Sequence, residues 1–175
     1  VFIRLVKGAY WDTEIKIAQQ EGLDYPVFTR KEHTDISYFA CARKLFHSKH
    51  LYTAFATHNP FTISAIKKIA EGHDKDFEFQ KLYGMGDGLY NQFVIDEDIK
   101  VRVYAPVGEY KDLLAYLIRR LLENGANTSF VHNQEVRDPF VELKKTKTEF
   151  QTWRDLYKNR VNSKGYDLTD PAMID

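Results

Sequence analysis

The 175-residue chain carries 25 basic and 25 acidic side chains, so its formal net charge at neutral pH is zero. This balance removes any global electrostatic argument for binding nucleic acid or an anionic membrane surface, and an anionic ligand would have to be held locally. The single cysteine excludes an internal disulfide, and no apolar run has the length of a membrane span or the form of a secretory signal. The composition therefore predicts one globular domain with a substantial core, in a reducing cytoplasm.

Short apolar runs alternate with helical patterns along most of the chain. Strands are predicted at residues 1–7, 52–57, 77–83 and 101–105, and helices at residues 11–22, 35–49, 61–72 and 89–96, with a final helix that ends at Gly125. This alternation is typical of a parallel α/β fold, in which ligands bind at the carboxyl ends of the strands. After residue 131 the pattern fades into a polar, linker-like tail with one more helix predicted at residues 139–150.

Polar side chains interrupt two of the predicted strands in a regular way. Glu78, Gln80 and Leu82 share one face of the third strand, and Arg102 and Tyr104 share one face of the fourth. A parallel strand covered on both faces should be almost entirely apolar, so these residues indicate a polar lumen. Four βα units fit either a small open sheet or half of an eight-stranded barrel, and the abrupt start of the first strand favours the half-barrel.

The final helix carries two adjacent arginines beside a broad leucine face. Arg119, Arg120 and Glu123 fall on the polar stripe of this helix, opposite its apolar residues. One interpretation is a solvated face with an ion pair between Arg119 and Glu123. The other is a clamp for a carboxylate or phosphate, because guanidinium groups bind planar oxyanions in a bidentate way.

The predicted first and second strands end in further candidates for ligand contact. Arg4 and Lys7 could simply extend into water, or they could line a site together with Gly8, whose small size permits close backbone approach. His58 precedes Asn59 and a proline, so this turn could cap a helix or contact a ligand.

The remaining motifs are weaker. The six histidines show no metal-ligand spacing, so no metal is predicted. The glycine run at residues 84–88 favours a tight turn over a phosphate loop.

Several longer stretches together resemble the proline dehydrogenase domain of bifunctional bacterial proline utilization A enzymes. In chain order these stretches are RLVKGAYWDTEIK, YPVFTRK, FATHN, FEFQKLYGMG, VYAPVGEYKDLLAYLIRRLLENGANTSFV, WRDLY and DLTD. The resemblance implies a (βα)8 flavin barrel with its last helix over the mouth. Residues 1–132 would form the carboxyl-terminal half of that barrel, and residues 133–175 would form a linker toward an aldehyde dehydrogenase domain.

The resemblance also implies an activity and its partners. The activity is the FAD-dependent oxidation of L-proline to Δ1-pyrroline-5-carboxylate, and the electron acceptor is a membrane quinone. It is compatible with a homo-oligomer, with a cytoplasmic enzyme that associates peripherally with the inner membrane face, and with no nucleic-acid contact through this segment. Because four strands cannot close around FAD, the segment is expected to be inactive alone.

Site roles follow from the same resemblance. Arg119 and Arg120 would ion-pair the carboxylate of proline, Glu123 would hold them in register, and Tyr104 and Leu82 would pack against the substrate ring. Contacts with FAD would come from Arg4, near the flavin N5, and from Lys7, Gly8, Ala9, Tyr10, Trp11, Thr29, Lys31, Thr57 and His58.

Two competing interpretations come from the residues alone. A phosphate-binding α/β barrel enzyme of the aldolase or isomerase type would use the arginine pair to grip a phosphate. A stand-alone binding module would need no catalytic site.

Overall fold

A computed structural model of the chain describes residues 1–8, 10–91, 99–132 and 159, with side-chain surroundings in the last helix described through Leu122. The elements, in chain order, are β1 (Phe2–Val6), α1 (Trp11–Glu21), α2 (Lys31–His47), β2 (Tyr52–Ala56), α3 (Pro60–Ala70), β3 (Phe77–Leu82), β4 (Lys100–Tyr104) and α4 (Tyr110–His132). A short helical segment at residues 87–91 follows β3. The helix predicted at residues 139–150 lies outside the described residues, as do Ala9 and, apart from residue 159, the predicted linker.

The four strands form one parallel sheet in the order β1-β2-β3-β4. The predicted parallel α/β architecture is thereby confirmed for this part of the chain. Gln80 lies opposite Arg102, and Leu82 lies opposite Tyr104. Because all strands run in the same direction, their carboxyl ends meet at a single edge of the sheet.

The chain divides into two compact units. The first contains residues 1–7 and the chain from residue 37 onward through α4, and therefore the whole sheet; the second contains residues 8–36. In the second unit, α1 ends at Glu21, and Gly22 at its carboxyl-terminal cap takes the left-handed conformation with φ 71°. This conformation is available to glycine at little cost, and it closes the helix with a hydrogen bond from the Leu23 amide to the Ala18 carbonyl, 2.9 Å.

One face of the sheet forms the apolar core of the first unit. Phe55 and Phe79 project from β2 and β3 and are fully buried. Helices α2 and α3 cover them with a cluster that includes Tyr38, Phe39, Ala42, Phe46, Ile63 and Ile66. Burial of each large apolar side chain contributes about 1.5–3 kcal/mol, so this face supplies most of the stability of the unit.

The opposite face of the sheet is polar, as the sequence predicts. The Arg102 guanidinium donates to both carboxylate oxygens of Glu78, with Nε–Oε1 2.6 Å and Nη2–Oε2 2.8 Å. Gln80 Nε2 and the Tyr52 hydroxyl donate to the same carboxylate at 2.8 Å and 3.2 Å. The bonds from Arg102 outweigh the opposing effect of burial and, with those from Gln80 and Tyr52, lower the pKa of Glu78 to about 2.

Two helix boundaries differ from the sequence-based predictions. Helix α2 begins at Lys31 rather than near residue 35, and a 2.8 Å ion pair between Lys31 and Asp35 stabilises its first turn. The prediction that the last helix ends at Gly125 is wrong, because α4 continues to His132. A single glycine costs only about 1 kcal/mol inside a helix, which the hydrogen bonds of the adjacent turns can outweigh.

Candidate active site

In the turn between β2 and α3, the helix cap and the histidine make separate contacts. Asn59 caps α3, since its Oδ1 accepts a hydrogen bond from the Thr62 amide at 3.0 Å, and Pro60 begins the helix. His58 does not share in this cap. Its Nε2 instead accepts a 3.0 Å hydrogen bond from the backbone amide of Leu82, at the end of β3.

Lys7, just after β1, is directed to the start of α3 and does not extend into water. Its ammonium donates to Thr62 Oγ1 at 2.9 Å and lies over the rings of Tyr38 and Phe39, 5.3 and 5.7 Å from their centroids. An ammonium group beside the positive end of a helix dipole attracts anions. This corner of the first unit therefore has the chemistry of an anion site.

Two arginines and two tyrosines form a continuous chain at the carboxyl end of the sheet. Arg120 lies over the ring of Tyr116, with its Cζ 5.1 Å from the centroid. Tyr116 is hydrogen-bonded to Tyr104, and Arg4 lies over the Tyr104 ring at 4.8 Å. Burial, followed by the hydrogen bond with Tyr116, raises the pKa of Tyr104, while Arg4 opposes this shift. The chain places two cations next to flat aromatic surfaces.

Helix α4 turns its polar stripe toward the more buried side. Arg119 and Arg120 are half-buried, and the Nε and Nη2 atoms of Arg120 are buried from solvent. On the leucine face, by contrast, Leu121 and Leu122 are 62% and 70% exposed. Arg120 therefore does not lie on a solvated face. The side chain of Glu123 lies outside the described residues, so its role beside the arginines stays a prediction.

Electrostatics at this edge favour an anionic ligand. Burial and then the charges of Lys81 and Arg120 lower the pKa of His58. Lys81 is itself buried and forms an ion pair with Asp87. Within the described ranges, no group of three or more histidine, cysteine, aspartate or glutamate side chains could hold a metal ion.

The predicted glycine turn after β3 is confirmed. Gly84 and Gly86 have φ values of 75° and 70°, a region that glycine enters without strain. The amide of Met85 donates to the Leu82 carbonyl at 3.1 Å, and the amide of Tyr90 donates to the Gly86 carbonyl at 2.9 Å. These bonds fix the turn next to His58.

The candidate cofactor residues of the second unit make local contacts. Trp11 Nε1 donates to the Phe28 carbonyl at 2.8 Å, and Lys31 is held by Asp35. Tyr10 is exposed, and its carbonyl accepts the amide of Glu14. Thr29 is half-buried. A methyl group added at Gly8 would meet nothing within 4 Å, so packing in the described structure does not require a glycine there.

Two residues at this end of the sheet were not among the predicted site residues. The first is Tyr116, which lies one turn before Arg119 and Arg120 and shares their side of the helix, and this spacing is visible in the sequence. The second is Lys81, which lies on the same face of β3 as Phe77 and Phe79, the apolar face. A lysine at such a position indicates a buried partner, which is Asp87.

Residues 1–133 match the family model described as "Proline dehydrogenase". The chain belongs to the proline dehydrogenase family. It is 48% identical to the bifunctional protein PutA of Salmonella typhimurium over 99% of this chain, and 39% identical to proline dehydrogenase 2 of Bacillus subtilis over 74% of this chain and 39% of that protein. The chain spans about 15% of the length of the PutA relative.

Solved structures give the same result. A mutant of proline utilization A from Bradyrhizobium japonicum matches with a TM-score of 0.65 and 60% identity, covering 74% of this chain and 14% of that one. The enzyme from Bdellovibrio bacteriovorus, inactivated by N-propargylglycine, matches with a TM-score of 0.72 and 37% identity, covering 86% of this chain and 16% of that one. Among the described residues, no helix is long and apolar enough to cross a bilayer.

Proposed function

We propose that this segment is the carboxyl-terminal half of a (βα)8 barrel that oxidises L-proline to Δ1-pyrroline-5-carboxylate with FAD. The observation that carries the proposal is the chain of Arg120, Tyr116, Tyr104 and Arg4 at the carboxyl end of a parallel sheet. In barrels of this type the active site is built at that end of the strands.

The half-barrel is supported by the two faces of the sheet. Its helix-covered face is apolar, while its other face carries Glu78, Gln80 and Arg102, which suit the interior of a larger barrel. Among the described strands, β1 and β4 are the two edges, and each could pair with a further strand. Residues 133–175 would then form the linker toward an aldehyde dehydrogenase domain.

The proposed site matches the chemistry of proline, which combines a carboxylate with a small saturated ring. Arg119 and Arg120 bind the carboxylate, and Glu123 holds the two guanidinium groups in register. Tyr104 and Leu82 pack against the ring and exclude water from it. This anchoring fixes the orientation of the C–N bond that is oxidised.

The residues of the first unit fit FAD. A diphosphate requires cations, and the Lys7 ammonium supplies one beside the positive end of the α3 dipole. Beside Lys7, the Tyr38 hydroxyl is buried and has no hydrogen-bond partner among the described residues. Arg4 would lie beside the flavin ring, with further contacts from Thr57 and His58 of the same unit.

When bound, FAD supplies the two-electron acceptor that oxidation of a secondary amine requires. A membrane quinone is the proposed final acceptor, which suits a cytoplasmic enzyme that associates peripherally with the inner membrane face. Four strands cannot enclose the cofactor, so the segment is inactive alone.

The proposal is tested on the complete protein that contains this segment. The purified protein should show a flavin absorbance spectrum that bleaches when L-proline is added without oxygen. Pyrrolidine, which lacks the carboxylate, should bleach it at least ~10-fold less efficiently, because it makes no bond with the arginines. A colourless protein that turns over a sugar phosphate would refute the proposal and support the phosphate-binding barrel.

A further inference from the structure

His58 is enclosed by three segments that meet at the carboxyl end of the sheet. We propose that His58 is a positioning residue, held as the neutral Nδ1–H tautomer by the Leu82 amide, that fixes the end of β3 and with it the Leu82 side of the substrate pocket. The inference rests on the proposed function in treating Leu82 and Arg120 as parts of that pocket.

The tautomer follows from the hydrogen bond. A backbone amide can only donate, so the Nε2 atom that lies 3.0 Å from the Leu82 nitrogen must present its lone pair. A neutral imidazole carries a single N–H, which is then on Nδ1. Nδ1 is therefore the only ring donor of His58 and suits an acceptor atom of the proposed cofactor.

Packing leaves the ring little freedom to turn. Its Cδ2 would lie 3.2 Å from a Cβ atom added at Gly86, so the glycine turn is built against the ring. The Tyr90 ring meets it edge-on, with centroids 6.3 Å apart and planes at 90°. The Tyr90 hydroxyl donates to the carbonyl of Thr57, which closes the enclosure. Rotation of His58 would leave the amide of the fully buried Leu82 without its acceptor.

The charged groups around His58 favour the same protonation state. Lys81 approaches from β3 and Arg120 from α4, while Asp87 neutralises part of the Lys81 charge and Tyr90 is uncharged. Protonation would remove the lone pair that the Leu82 amide requires and would add a third cation beside Arg120. As the pH falls, the end of β3 should therefore lose its hydrogen bond to His58, Leu82 should shift, and the affinity for proline should fall with it.

Two amide variants of the complete enzyme separate the ring nitrogens. The side chain of His58→Gln can place its oxygen near the position of Nε2 and does not titrate, whereas the shorter His58→Asn reaches only the position of Nδ1. We expect the Asn variant to raise the KM for proline at least ~10-fold above that of the Gln variant, because only Gln can keep an acceptor for the Leu82 amide. Rates are normalised to bound flavin, so that altered cofactor content does not imitate altered substrate affinity.

The pH profile gives a second readout. Wild type should lose kcat/KM for proline as the pH falls below the ordinary range of a histidine pKa, because the pKa of His58 is lowered by burial and by its cationic neighbours. The Gln variant, which does not titrate, should show no such loss. His50→Gln, the same substitution at an exposed histidine, should keep the wild-type profile.

Equal KM values for the Gln and Asn variants, or an acid limb retained by the Gln variant, would overturn the inference. If the Asn variant does not fold, the profile of the Gln variant decides. A wild-type protein that neither binds flavin nor oxidises proline refutes the proposed function instead, so the two failures are distinguishable.

Discussion

Replacing Arg120 with methionine tests the substrate clamp most directly. A hydrogen bond between charged groups contributes about 1.5–3 kcal/mol, which corresponds to a rise of ~10- to 150-fold in the KM for proline. Two guanidinium nitrogens of Arg120 are buried, so solvent screens this charge poorly, and the upper half of the range is expected. Methionine can still pack on the ring of Tyr116, so the fold should tolerate the change.

The measurement is steady-state oxidation of proline by the complete enzyme, with kcat and KM determined separately. Arg120→Lys keeps the charge but not the planar fork, so it should have an intermediate KM. Lys111→Met removes a cation from an exposed position of the same helix and should leave the KM unchanged. An unchanged KM for Arg120→Met, or equal effects of Arg120→Met and Lys111→Met, would refute the clamp.

Three further predictions concern the surrounding scaffold, each measured on the complete protein. Because the pKa of Glu78 in the folded state is lowered to about 2, its stabilising contribution is present above its ordinary pKa and is lost as the pH falls toward 2. Glu78→Gln should therefore lower the unfolding midpoint at neutral pH and weaken the acid dependence below about pH 4.5; an unchanged acid dependence would contradict the assignment. Gly86→Ala should lower the free energy of unfolding in urea by about 1–2 kcal/mol because its φ is positive, and contact of the new methyl group with the His58 ring should add to this cost. Gly84→Ala is the control, because its new methyl group would have no atom within 4 Å, so it should lower the free energy of unfolding by less. Asn59→Ala removes the cap bond to the Thr62 amide and should cost about 1 kcal/mol, and a thermal midpoint equal to that of wild type would exclude this role.

The strands and their faces could be predicted from the sequence because they depend on local alternation. The pairing between strands could not. Glu78 lies directly opposite Lys100, yet its ion pair is with Arg102, two residues further along β4. That diagonal contact depends on register and side-chain reach, which neither strand encodes alone.

The final helix shows a second kind of limit. Its two faces were clear from the periodicity, but a simple hydrophobic argument would turn Leu121 and Leu122 inward. In the structure Arg120 is the more buried, because Tyr116 links this side of the helix to Tyr104 on the sheet. The link between His58 and the Leu82 amide was equally invisible, since a backbone donor leaves no mark in the sequence.

The spacing of the paired strands has a consequence for the order of assembly. Residue 2 pairs with residue 52, whereas residue 53 pairs with residue 77 and residue 78 with residue 100. Each doubling of a closed loop costs about 0.6 kcal/mol of chain entropy, so the first ladder is the slowest to nucleate. We expect amides of β1 to gain hydrogen-exchange protection last during refolding. Arg4 would then reach Tyr104 only after the rest of the sheet has formed.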